Sequence, residues 1–596
     1  MAAFSGSVEH ELRTQVSELL RRRYDQPVGP ENILIKLPPP EVAADFTLVA
    51  FSLAQLLQQP LPQLAAALAE DLKANWPPLV SAEVVKGFIN LTLSDAFWCD
   101  FLEQQRTNPT FGRSTDRKPR VLVEFCGPNT NKPLHLGHLR NIFIGYAVSE
   151  LLQAVGHDVV RVNILNDRGV HICKSMLAYQ KYGQHETPES SGIKGDFLVG
   201  EYYVRFEQEL KKQMEALQAQ GLSEEEARRQ APLQREVQQM LQAWEAGDPE
   251  VRGLWATMNN WVYQGFAQTY RKLGIQFDKE YFESDTYLKG KELVLQGLQK
   301  GIFYRKPDGS VWVDLSAEGL EHKLLLRADG TSVYITQDIA TALERWNDFA
   351  PERMIYTVAS EQDHHFKVLK AICRRLELPF AEGIHHLSYG LVELPTGRMK
   401  SREGTVVDAD DLLEEMTATA ARYSKEHGKA TDLSEAEQQE LFRSIGLAAL
   451  KFFILKVHAR KRMVFHPEES IDVHGFTGPF IQYTHARICS LLRKAGILPS
   501  QPVAVAPLHR SEREVLRLLY RYPATLLDAA DQLEPAVLAN YLYHLAKTYN
   551  QFYQELPVLQ AATDAERTLR LHLSDGVRQV LASGLSLLGI PAPQRM

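Results

Sequence analysis

Apolar positions change their spacing several times along this chain, and each change marks an element. In residues 8–25, VEHELRTQVSELLRRRYD, they recur every three to four positions, which predicts a helix with one buried face. NILIKL at 32–37 reads as a strand, and residues 47–72 read as helices broken at Pro60 and Pro62. GFINLTLS at 87–94 alternates apolar with polar, as a half-buried strand does. The polar run 107–120, with Gly112 and two prolines, reads as a linker. Residues 1–115 are therefore expected to form a separable small α/β unit.

Beyond the linker the texture differs. VLVEFC (121–126) is a short buried strand, residues 127–133 a turn-rich loop, 135–156 an apolar helix, and DVVRVNIL (158–165) a second buried strand. Strand, helix and strand at this spacing predict a βαβ unit with a right-handed crossover in a parallel sheet. Residues 204–246 are heavily charged and helical, the mark of a solvent-lying insertion spanning about 180–255. The α/β pattern resumes at SVWVDL (310–315) and MIYTVAS (354–360) and closes near 410. From 411 onward the chain reads as almost continuous helix, divided into a connector over 411–470 and a terminal helical domain over 471–596.

Composition narrows the class. With 596 residues, 44% of them hydrophobic and 23% charged, the chain is long enough for about four soluble domains. A net charge of −8 argues against indiscriminate nucleic-acid binding. Residues 441–500 run the other way: Arg443, Lys451, Lys456, Arg460, Lys461, Arg462, Arg487, Arg493 and Lys494 face only three acids. Such a stripe can steer a polyanion to one face. Five cysteines without a CxxC pair support neither a zinc ribbon nor a disulfide framework. The N-terminus lacks the apolar core of a secretory signal, and the most apolar stretch, 46–57, is too short to span a bilayer, so a cytoplasmic location is expected.

The candidate chemistry is densest at 128–138, PNTNKPLHLGH. His135 and His138 fall in the first turn of the predicted helix, whose free N–H groups and partial positive charge suit phosphate. The two imidazoles add donors from the same side, and Gly137 lets a flat base approach the backbone. No GxxxxGK[ST] loop is present, so a P-loop is excluded as the nucleotide site. Tyr334 and Asp338 lie at a strand-to-helix turn, where by themselves they read as a core aromatic and an ordinary first-turn helix acid. The neighbouring pairs His364-His365 and His385-His386 chelate poorly, because adjacent side chains point apart, and no protein-bound transition metal is expected.

The segment VEFCGPNTNKPLHLGHLRN (123–141) resembles the His-x-Gly-His signature of class I aminoacyl-tRNA synthetases, in the form found in bacterial-type arginyl-tRNA synthetases. The likeness extends through residues 324–340, 358–366, 475–494 and 581–596, and with the N-terminal unit it covers nearly the whole chain. The resemblance implies an α/β fold: a Rossmann-type parallel-sheet catalytic domain over 116–410, an N-terminal α/β domain touching the tRNA body, and an all-α anticodon-binding domain. It implies arginine activation by ATP with Mg²⁺, then arginyl transfer to the 2′-hydroxyl of the terminal adenosine of tRNA(Arg), by a monomer without zinc. His135 and His138 then stabilise the triphosphate in the transition state, with Pro128 and Gly137 at the nucleotide. Glu124, Asn129, Tyr334, Asp338 and Gln362 match positions that hold arginine.

The second class I signature is degenerate here. Residues 398–404 run Arg-Met-Lys-Ser-Arg-Glu-Gly, so Met399 stands at the usual first lysine and Arg402 at the second. Lys400, Ser401 and Arg402 are candidates for the phosphates, and Lys132 is the substitute cation for the missing lysine. The resemblance also places tRNA contacts on the helical end, with Arg460, Lys461, Arg462, Arg487 and the aromatic Tyr549 as candidates. Cysteinyl and many methionyl relatives would bring zinc-ligand cysteines, and a glutamate enzyme would place a cation at 338. Intact His135, Gly137, His138 and Asp338 speak against a non-catalytic tRNA-binding paralogue.

Overall fold

A computed structural model describes residues 8–39, 42–287, 289–393, 395, 407–426, 433–496, 498 and 503–596. The helix Val8–Tyr24 forms as its spacing predicts, burying Leu12, Val16, Leu19 and Leu20. It accompanies a four-stranded antiparallel sheet ordered Ile35–Lys36, Phe46–Val49, Phe88–Leu93, Leu79–Val85. Residues 47–49, expected in a helix, are instead a strand buried on both faces and paired in register with 88–90. Burial on two faces removes the alternation by which a strand is recognised.

The N-terminal unit packs closely on the C-terminal helices. The helix Asp95–Thr107 is capped by Ser94, whose hydroxyl accepts the Phe97 N–H at 3.1 Å, and it packs on the C-terminal helices Arg510–Asp531 and Asp564–Leu587. Tyr520 of that layer sits among the rings of Phe46, Phe97, Trp98 and Phe101 at centroid distances of 5.4–6.4 Å. Its hydroxyl accepts from the Val8 N–H and donates to Glu9. The fully buried Asp45 receives Arg513 at 3.3 Å and Arg517 at 2.5 Å. One apolar core runs through both layers.

The largest sheet has five strands among the described residues, all parallel, in the order Ile384–Tyr389, Arg353–Ala359, Lys118–Glu124, His157–Leu165, Lys279–Phe282. The chain starts in the middle, steps outward on one side, then crosses to the other. The strand order therefore reverses beside Lys118–Glu124, and a crevice opens at the carboxyl ends there. The helix Leu136–Ala154 returns the chain between the first two strands and is buried almost all round, as its apolar sequence requires. SVWVDL does not join this sheet: Val311–Val313 is the middle strand of a separate antiparallel sheet with Tyr304–Arg305 and Lys323–Leu326.

The insertion is helical (Val170–Tyr182, Gly195–Gln218, Glu224–Gln230, Pro232–Glu245 and Pro249–Leu273) but does not simply lie on solvent. Phe206, Leu210, Leu233, Val237 and Trp244 are buried beneath its charged surface. Among the described residues, the C-terminal region has helices and one short strand, Met463–Val464, which pairs in parallel with Val392–Glu393. Lys451 leaves the basic stripe altogether: it is buried, donates to the carbonyls of Leu273 and Gly589, and burial lowers it to about 7. Among the described residues no helix is long and apolar enough to cross a membrane.

Candidate active site

The chain leaves the central strand through Cys126 and Gly127, both at positive φ, 85° and 58°. A side chain is strained there, and Cys126 is held by two contacts. Its N–H donates to Asn141 Oδ1 at 2.6 Å, and its Sγ lies 3.3 Å from the Tyr270 hydroxyl. The Asn141 amide group also donates to the Thr357 carbonyl at 2.7 Å and the Tyr389 hydroxyl at 3.2 Å. One side chain thus ties together the ends of three strands across the crevice. Asn163 accepts the Gly127 N–H, and Asn166 bonds the backbone of Pro128 and Thr130, which fixes the loop carrying Pro128 and the exposed Asn129.

That loop delivers His135 as the N-cap of Leu136–Ala154. His135 Nδ1 accepts the Gly137 N–H, and His138 Nδ1 accepts the His135 N–H, both at 3.1 Å. Two imidazoles thereby form a capping box. A neutral ring that accepts at Nδ1 carries its proton on Nε2, so each presents one N–H donor. Both rings stay neutral: burial, helped by the charge of Lys132, pushes His135 down to about 3, and burial beside His135 holds His138 well below its usual value. Burial also lowers Lys132, a desolvated cation next to the same helix end. A Cβ at Gly137 would meet the His135 ring at 3.0 Å. Neutral donors, a helix N-terminus and a nearby ammonium make a corner suited to a polyanion.

Acids gather on the other side of the crevice. Glu124 ends the central strand, buried, in an ion pair with the buried Arg345. Asp338 lies in the first turns of Tyr334–Phe349, its side chain 41% exposed and Oδ2 2.6 Å from His365 Nε2. Tyr334 is 75% exposed at the same helix start, and Gln362 is exposed after the strand Arg353–Ala359. Glu283 closes the group, following the edge strand Lys279–Phe282. Burial lifts its carboxyl to about 7; Arg168 opposes that, while Asp167 and Asp338 add to it.

Two cavities meet at His135. One, of about 540 Å³, is lined by Glu124, Gly137, His138, Asn141 and Tyr389. The other, of about 770 Å³, opens past Lys132 towards Tyr182, Arg205 and Asp408. Lys400, Ser401 and Arg402 lie outside the described residues. The chain that follows them is stitched beside the histidines: Leu136 N–H donates to Val407 at 3.2 Å and Ala409 N–H to Leu134 at 2.8 Å.

Three families match the chain in succession: the arginyl-tRNA synthetase N-terminal domain over residues 10–93, the class I (R) tRNA synthetase catalytic domain over 102–466, and the DALR anticodon-binding domain over 481–596. The chain belongs to the class I arginyl-tRNA synthetases. It is 49% identical to an arginine–tRNA ligase of Bacteroides thetaiotaomicron over 99% of this chain and all of the relative. The arginine–tRNA ligase of Porphyromonas gingivalis is 50% identical over 93% of this chain and 94% of its own. The arginyl-tRNA synthetase of Thermus thermophilus superposes with a TM-score of 0.81 at 27% identity, covering 99% of this chain and all of that one.

For a synthetase of this family the tRNA-facing candidates separate clearly. Arg460, Lys461 and Arg462 are exposed on one loop. Arg487 is half-buried, bonded to Asn550 at 2.8 Å and close to the rings of Tyr483 and Tyr553. Tyr549 is a correction: it is fully buried with its hydroxyl 3.0 Å from Ser574, so no base can stack on it in this structure. Among the aromatics of 541–553, the partly exposed rings are Tyr543 and Tyr553. Sequence reading missed Glu283, Asn141 and Arg345. Asn141 closes the quoted signature and was within reach; Glu283 and Arg345 stand in unremarkable helical sequence.

Proposed function

We propose that this site joins arginine to tRNA(Arg) in two steps, the reaction of an arginine–tRNA ligase. The observation that carries the reading is the near-50% identity, over essentially the full chain, to proteins of that name. ATP, entering with magnesium, lies with its base near Gly137 and Pro128 and its phosphates at His135, His138 and Lys132. Glu124 and Asn129 hold the amino-acid end of arginine, while Asp338 and Glu283 face its guanidinium beside Tyr334 and Gln362. A carboxylate oxygen of arginine attacks the α-phosphorus, the bond to the bridging oxygen breaks, and pyrophosphate leaves. The histidine Nε2–H groups follow the charge that grows on the phosphate oxygens, a role that needs donors rather than a base. The 2′-hydroxyl of the terminal adenosine then displaces AMP from the adenylate.

The exposed triplet Arg460–Arg462 supplies a phosphate contact for tRNA, and the N-terminal unit touches the tRNA body. We take the working form to be a cytoplasmic monomer. ATP–pyrophosphate exchange with each amino acid in turn, with and without tRNA, tests the reading. Exchange driven by an amino acid other than arginine, or by none, would overturn it.

A further inference from the structure

Arg345 is a cation placed where a protein rarely puts one: 1% exposed, in the core beneath the active site. The rings of Tyr281 and Tyr356 lie against its guanidinium, at 5.1 and 5.4 Å. Its ionic partner is the Oε2 oxygen of Glu124, which ends the central strand and lines the smaller cavity. Arg345 follows Asp338 by seven residues on Tyr334–Phe349, which places both on one side of the helix, two turns apart. A single helix thus carries a carboxylate into the site and reaches back to hold another.

We propose that Arg345 is the positioning residue of the amino-acid pocket: it takes one oxygen of Glu124, leaves the other for the substrate ammonium, and fixes the spacing between Glu124 and Asp338. That spacing acts as a ruler for an amino acid with cations at both ends. The inference rests on the proposed assignment of Glu124 and Asp338 to the two ends of arginine. The electrostatics agree with it. Burial raises the Glu124 carboxyl above its usual range; Arg345 opposes that shift, and the charge of Asp338 adds to it. The groups facing the pair are Asp338 from the helix, Tyr356 from its strand and Tyr281 from the edge strand. Among the described residues, Arg345 alone brings a positive charge to Glu124. Without it, Glu124 is left buried and unpaired beside the charge of Asp338, which favours its protonated form.

The test uses the full-length enzyme in arginine-dependent ATP–pyrophosphate exchange, followed from about pH 6.5 to about pH 8.5. Arg345→Met is expected to raise the KM for arginine at least about tenfold at neutral pH, with the KM for ATP nearly unchanged. The elevated KM should fall steadily as pH rises and Glu124 ionises, by up to roughly tenfold per unit. It should keep falling above the pH at which the wild-type value has levelled. Arg345→Lys, which restores a charge without the planar fork, should recover most of the loss and the wild-type pH profile. If Arg345→Met does not fold, Arg345→Gln, also neutral, carries the same expectation. A KM for arginine that parallels the wild type at every pH in a folded neutral variant overturns the role of Arg345. Glu124→Gln separates the two levels: an unchanged KM there overturns the assignment of Glu124 itself.

Discussion

Asp338 holds its carboxylate half in solvent with His365 at 2.6 Å, so a guanidinium arriving from the crevice finds an oriented acceptor. Asp338→Asn keeps the shape and removes the charge; we expect a loss of about 2–4 kcal/mol of transition-state stabilisation, expressed in the KM for arginine and not in that for ATP. Equal arginine dependence in variant and wild type would remove Asp338 from the pocket. Glu283 gives a pH signature. Its carboxyl, raised from 4.5 to about 7, is protonated below that pH and charged above it. The KM for arginine should fall as pH rises through about 7, and Glu283→Gln should flatten that step. The raised value also means that the free protein loses stability as pH climbs from about 4.5 to about 7, because the unfolded chain ionises there while the fold holds the proton. Asp338 could be picked out in the sequence because it stands at a strand-to-helix turn inside a recognisable segment. Glu283 could not, because what makes it notable is a distant charge and desolvation, and neither has a local pattern.

At the scale of elements, the strand, loop and helix over 118–154 form within a few residues of where periodicity places them. Local signals and tertiary burial agree there: apolar runs, a turn-rich loop, and a capping pair three residues apart. They disagree at 47–49, where both faces are covered, and at Lys451, whose charge suggests surface but whose ammonium caps two carbonyl ends in the core. On the proposed reading, the helix start itself carries the phosphate chemistry. Met399 cannot donate, and among the described residues the cation acting on His135 at this helix end is Lys132, itself desolvated by burial. Lys132→Ala should slow arginine activation by about 10²–10³-fold, the scale of losing one transition-state donor, with arginine binding little altered. Lysine at Met399 in that background should recover part of the rate. A near-wild-type rate for Lys132→Ala would move the role to Arg402.

Across the whole molecule, the N-terminal unit and the C-terminal helices are one layer, although some 400 residues separate them in sequence. Linker composition at 107–120 predicts a separable unit, but linkers report chain flexibility and not whether two surfaces fit. What joins them is specific: the Tyr520 ring in its aromatic nest, and Asp45, which takes two arginines and the Leu93 N–H at 2.6 Å. Asp45 is fully buried and Arg513 and Arg517 are only 18% and 25% exposed, so removing the acid leaves Arg517 without its carboxylate and Arg513 with Asp95 alone in a largely buried interface. Asp45→Ala should therefore cost about 3–5 kcal/mol, the range for breaking a buried pair, read as a lowered denaturant midpoint. The same geometry predicts that a chain beginning at residue 108 will not behave as a catalytic core with merely weakened tRNA charging. Losing Phe46, Phe97, Trp98 and Phe101 leaves Tyr520 and its apolar surroundings in water beside two unpaired arginines. That truncation should melt well below the full chain and self-associate, and its arginine activation should decline with its stability. A monomeric truncation with the melting temperature of the full protein would show that the interface contributes little, and that the unit is separable after all.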